Sequence, residues 1–145
     1  MRVVLDTNVV VSSLLWDGAP KRLLRTGNLE GVELFTSVPL LVELRGTLSK
    51  SKFGPKIDAS GSSVDQLVDL YAKLAAVVEP ALLPRLAPDA DDDVVIGTAL
   101  AAKADFLVTG DRALLSVARC EGVRIVSVRE ALDAVARDSA HEDLE

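Results

Sequence analysis

VVLDTNVV, residues 3–10, drives three apolar residues into Asp6 and then, after Thr7 and Asn8, returns to apolar residues. A short β-branched run without polar alternation predicts a strand buried on both faces. Four further runs share this character, at residues 32–35, 76–79, 106–109 and 123–127. Between them the apolar spacing is helical: Leu40, Leu41, Leu44 and Leu48 behind Ser37 as N-cap; Val64, Leu67, Val68, Tyr71 and Leu74; Val95, Ile96, Ala99, Leu100 and Ala102; and residues 131–136. Buried strands alternating with helices predict an α/β fold, a single domain with a five-stranded parallel sheet flanked by helices. Residues 53–63, FGPKIDASGSS, carry the Gly, Pro and Ser of a surface loop. Residues 1–137 form the domain in this reading, and 138–145, DSAHEDLE, a solvated tail.

A chain of 145 residues with 49% hydrophobic content suits one core, since folding at that size buries roughly 70% of the extended-chain surface. Only 3% of residues are aromatic, which argues against a single-strand binding module that stacks bases on aromatic side chains. The net charge of −6 argues against coating nucleic acid by bulk electrostatics, so contacts to it have to be local. Cys120 is the one cysteine, too few for a disulfide framework or a thiolate cluster. No leader pattern opens the chain, and no apolar run approaches the roughly 18 residues of a membrane helix. A soluble, cytoplasmic protein with no membrane partner is the expectation.

The acids carry the chemistry. Ligands of an open parallel sheet bind outside the carboxyl ends of its strands. Asp6 ends the first strand, and Asp111 follows the fourth in FLVTGD. The run DADDD, residues 89–93, precedes a helix whose amino end belongs at the same rim, and Glu43 lies one position off the apolar stripe of its own helix. Carboxylates gathered there repel one another, and a divalent cation relieves the repulsion. Asp and Glu without His or Cys suit Mg²⁺ or Mn²⁺. Each acid also has a plainer role. Asp6 can cap the following helix, the DADDD run can be a solvated N-terminal turn favoured by the helix dipole, Glu43 can be a surface residue, and Asp111 a turn residue.

These stretches, in this order, resemble the PIN domain, the fold of a large group of metal-dependent ribonucleases. The resemblance rests on VVLDTNVVVSSLL, TSVPLLVELRGTLSKSKF, DADDDVVIGTALAAKADFLVTGD and VRIVSVREAL, and so covers nearly the whole chain. It implies a three-layer sandwich and hydrolysis of RNA phosphodiesters with Mg²⁺ or Mn²⁺ as cofactor. The catalytic positions it implies are Asp6, Glu43, Asp92 and Asp111, with the metal on Asp6, Asp92 and Asp111. Asp93 is the alternative to Asp92 if the register slips by one. Asn8 falls on the family's polar neighbour of the first acid and can hold Asp6 in its ligating rotamer; Asp89 and Asp93 lie further out. The most similar subgroup contains toxins of bacterial toxin–antitoxin pairs, which implies an antitoxin protein as partner and a homodimer.

An acidic pocket repels the RNA it cuts, so cations must border it. Arg22 and Arg25, beside Lys21, form one cluster; Arg45 and Lys50, with Lys52 and Lys56, form a second; Arg112 adjoins Asp111. These are candidate backbone contacts, or else solvated helix faces. The only histidine, His141, lies in the tail, which disfavours metal-free imidazole chemistry. The rival that keeps the fold and drops the reaction is a catalytically inert PIN-like module that binds RNA or protein. A phosphorylated receiver domain is disfavoured, because the third strand ends in VVEP and no lysine follows the fifth.

Overall fold

In a computed structural model the chain begins β1 (Arg2–Leu5), α1 (Thr7–Leu15), α2 (Ala19–Arg25), β2 (Glu33–Thr36) and α3 (Val38–Leu48). A 3-10 turn (Ser51–Phe53) leads into α4 (Gly54–Ala59), α5 (Val64–Leu74) and β3 (Ala75–Val77). Then come α6 (Ala90–Ala101), β4 (Phe106–Val108), α7 (Arg112–Val117), β5 (Arg119–Cys120), β6 (Val123–Val126) and α8 (Val128–Leu144). The structure describes the backbone of residues 1–29, 31–82 and 90–144, and the side chains of these except 90–91 and 139–144.

The sheet runs β3-β2-β1-β4-β6-β5. Every pair is parallel except β5 with β6. Successive residues of β1 face opposite layers, as strand geometry requires. Val3 and Leu5 enter a core with α1, α2, α5 and α8, whereas Val4 joins Phe35, Ile96, Leu107 and Ile125 beneath α6 and α7. The three-layer α/β sandwich is therefore present.

The sheet has six strands where five are expected. The sixth, β5, is two residues long, too short to register as an apolar run. It is set by a hairpin: Glu121 and Gly122 both have positive φ, 45° and 91°, the pattern of a two-residue type I′ loop whose twist matches the flanking strands. The FGPKIDASGSS segment is also mostly not a loop. Pro55 starts α4 in the first turn, where its missing N–H costs nothing. Residues 138–144, read from sequence as a tail, are the closing turns of α8. Ser37 does stand at the N-cap of α3, but its side chain makes no capping bond. It turns inward instead.

One glycine is demanded by close approach. Gly97, inside α6, accepts the Ala81 N–H at 3.0 Å, and a Cβ there would stand 2.5 Å from the Ala81 oxygen. The chain leaving β3 thus crosses directly over α6. Among the described residues no helix is long and apolar enough to cross a membrane.

Candidate functional site

The order of the strands locates the site. The chain proceeds from β1 outward to β2 and β3, then returns to place β4 on the other side of β1. The crevice at such a switch point, beyond the carboxyl ends of the strands, is where doubly wound sheets bind ligands. Asp6 follows β1 and Thr109 to Asp111 follow β4, so both lie at the mouth of that crevice.

Asp6 is fixed from three directions. Its backbone N–H donates to the Val108 oxygen at 2.9 Å, which continues the β1–β4 ladder past the end of the strand. Its Oδ1 accepts the Thr7 N–H at 2.9 Å, making it the N-cap of α1. Its Oδ2 accepts the hydroxyl of Thr109 at 2.8 Å. That hydroxyl also accepts the Asp111 N–H at 3.0 Å. Thr109, fully buried, therefore ties the first acid to the backbone of the last. Asp111 caps α7, its Oδ1 accepting from Ala113 at 2.7 Å and more distantly from Leu114 at 3.4 Å.

The electrostatics match this geometry. Burial pushes the Asp6 carboxyl above its ordinary pKa, and the Asp111 charge adds to the rise; the bonds from Thr109 and Thr7 oppose it. A half-buried carboxylate beside a second carboxylate is an unfavourable arrangement for two anions and a favourable one for a cation between them. The donors are all oxygen, and Asp111 Oδ2 has no protein donor among the described residues. Mg²⁺ commonly takes one or two carboxylates and keeps several waters, so this pair fits such an ion. Among the described residues, no three of His, Cys, Asp and Glu come close enough to form a fuller metal site.

The other expected site residues fall as follows. Asp92 and Asp93 stand half-buried in the first turn of α6. The far end of that helix is tied to the amino edge of β1 by the Arg2 Nη1 bond to the Ala102 oxygen, 2.9 Å. Thr98 meets Ser37, the residue after β2, at 2.8 Å. Asp92, nearly two turns ahead of Thr98, is thus roughly 9 Å further toward the carboxyl rim. Asp89 lies outside the described residues. Glu43 is exposed on α3, next to buried Leu44. Asn8 is exposed in the first turn of α1, and the bonds holding Asp6 come from Thr7 and Thr109 instead.

The basic residues scatter. Arg22 lines a cleft between α2 and α8 with Arg129 and Asp133, and Arg25 is exposed on α2. Arg45 is ion-paired with Asp65 of α5. Lys50 is exposed ahead of the 3-10 turn, and Arg112 is exposed beside Asp111.

Thr109 is the residue that sequence reasoning misses. The available signal is its place two positions before Asp111 in TGD, where a hydroxyl can accept the i+2 backbone N–H. Thr98 is missed as well: its hydroxyl donates to the Val94 oxygen at 2.8 Å and accepts from Ser37.

No curated protein sequence matches the chain. A protein-family model described as PIN domain matches residues 2–113, a span that contains Asp6, Glu43, Asp92, Thr109 and Asp111 together. PIN domains are generally nucleases, a hydrolase class that agrees with acids at a sheet's switch point. By that match and this fold, the chain belongs to the PIN domain family.

Proposed function

We propose that this protein is a metal-dependent endoribonuclease, and that it is the toxin of a toxin–antitoxin pair. The observation that carries the nuclease reading is the Asp6–Thr109–Asp111 unit at the β1–β4 switch point. Asp6 and Asp111 would hold Mg²⁺ or Mn²⁺, and Asp92 of α6 would join them only by moving in, since no three acids are grouped among the described residues. A bound divalent ion supplies positive charge at the phosphate and acidifies water in its coordination sphere. Thr109 keeps Asp6 in one rotamer. Glu43 orients the attacking water, which adds in line at phosphorus while the opposite P–O bond breaks and a proton passes to the departing oxygen. Asn8 and Asp93 would border this arrangement, and Asp89, the other outer candidate, lies outside the described residues. Arg112, beside Asp111, meets the phosphate backbone, with Arg22, Arg25, Arg45 and Lys50 as outlying contacts. The toxin assignment, the antitoxin partner and a homodimer follow from the family likeness, and a cytoplasmic location accords with them.

The test is incubation of the protein with single-stranded RNA and Mn²⁺ or Mg²⁺, against the same mixture with EDTA. Cleavage that appears only with the ion, together with a rise in melting temperature as ion is added, is the expected result. Absence of both overturns the reading. The second reading is an inert PIN domain that binds RNA or protein without cutting. It is favoured by the joining of only two acids among the described residues, and RNA binding without cleavage at any divalent ion concentration would establish it.

A further inference from the structure

The chain has five aromatic residues. Phe35, Tyr71 and Phe106 are buried in the core. The other two meet at the margin of the core: exposed Trp16, at the C-cap of α1, and Phe53, at the end of the 3-10 turn and half-buried against the core, stand 6.0 Å apart edge to face at 71°. Trp16 is 42% exposed, unusual for a large ring with no core role. Each ring carries an ammonium group over its face, Lys56 at 5.7 Å from the Trp16 centroid and Lys52 at 5.0 Å from that of Phe53. Residues 50–58 hold Lys50, Lys52 and Lys56 against the single acid Asp58, in a chain whose net charge is −6. Asp17, beside Trp16, is already paired with Lys21 at 3.5 Å.

We propose that the Trp16–Phe53 pair, with Lys50, Lys52 and Lys56, is a stacking subsite for single-stranded RNA. Ring faces and nearby cations are the two elements such sites combine. An exposed ammonium–ring contact is worth only about 0.5–1 kcal/mol, so an incoming base can displace the lysine from the face and leave it to pair with the flanking phosphate. The low aromatic content of the chain is no obstacle, because folding brings exposed Trp16 and half-buried Phe53 to one point. Trp16 and Asp6 occupy opposite ends of α1, about 15 Å apart by helical rise. That distance spans roughly four stacked nucleotides at about 3.4 Å each. The subsite rests on the ribonuclease reading for its purpose: it holds the strand whose phosphate reaches the acids.

Trp16 is the only tryptophan, so its fluorescence reports this surface alone. In EDTA, where cleavage is blocked, titration with a short oligouridylate is expected to quench the emission saturably and less tightly as salt rises. Phe53→Leu and the double variant Lys52→Glu/Lys56→Glu are each expected to weaken that binding roughly tenfold, the scale of one lost stacked base. Unchanged emission overturns the subsite, as does equal quenching by a duplex RNA hairpin. A blue shift that follows protein concentration without RNA also overturns it, since it assigns the surface to a second copy of the chain. Cleavage with Mn²⁺ is followed in parallel. Cleavage without quenching refutes the subsite alone, whereas quenching without cleavage keeps the RNA surface and refutes the nuclease.

Discussion

Two buried hydroxyl groups close the carboxyl rim of the sheet, and they do different work. Thr109, after β4, spends its proton on the Asp6 carboxylate and accepts the Asp111 amide. Thr98, on α6, spends its proton on the Val94 carbonyl of its own helix and accepts from Ser37. Both are fully buried, and both proton bonds are 2.8 Å long. The first contact ends on a charge and the second on neutral groups, so the first belongs to the proposed site and the second to the frame. Burial and bond length alone do not tell a site from a strut; the acceptor does.

The largest separation between the two regions should come from Asp6→Asn. RNA cleavage is expected to fall by more than about a hundredfold, beyond the range typical of residues that only support a ligand. The metal-free protein should become more heat-stable. Asp6 has a folded-state pKa above the 3.8 of an ordinary aspartate, so the folded form binds the extra proton. Its stability is greatest below that pH and is lost as pH rises through the folded value. Melting curves against pH should therefore converge for wild type and variant in acid and part toward neutrality. A variant that cuts normally would remove Asp6 from the site.

Thr109→Val comes next. Activity is expected to drop about 10–100-fold, and stability by about 1–3 kcal/mol, because the Asp111 amide loses its acceptor. The discriminating measurement is the Asp6 titration by carboxyl NMR. Loss of the Thr109 bond, which opposes the rise, should move that pKa further up. Thr109→Ser should restore most of the activity. If the titration does not move, Thr109 is a strut like Thr98.

The frame should answer in stability alone. Thr98→Val leaves the Ser37 hydroxyl buried without its acceptor and should cost about 1–3 kcal/mol. Ser37→Ala should cost less, since the Thr98 proton already has Val94. The double variant should cost less than the sum of the two, a cycle readable by urea unfolding. The smallest effect is expected at Tyr71, whose buried hydroxyl finds no partner among the described residues. Tyr71→Phe should gain about 1 kcal/mol, or roughly 2–4 °C in melting temperature for a chain of this size.

The same contrast explains what can be read from the sequence. Strands buried on both faces announce themselves as unbroken apolar runs, and β1, β2, β4 and β6 lie within a residue or so of where those runs fall. Acids at strand ends are legible for the same reason, because a charge interrupting such a run is conspicuous. Hydroxyls are not conspicuous. Threonine suits strands, helices and turns alike, and only the fold shows that Thr109 faces a carboxylate and Thr98 a carbonyl. Short elements are hidden too. A two-residue strand has no period, and Pro55 opens a helix with the same residue that elsewhere breaks one.

The bond from Thr109 to Asp6 spans 103 residues. During synthesis the amino-terminal carboxylate leaves the ribosome long before its partner strand exists, and contacts this distant in sequence form only once the intervening chain is available. A nascent or truncated polypeptide ending before β4 therefore carries every residue of the first strand and none of the assembled acid pair. Any hydrolysis that depends on that pair has to wait until β4 and the turn after it have been made.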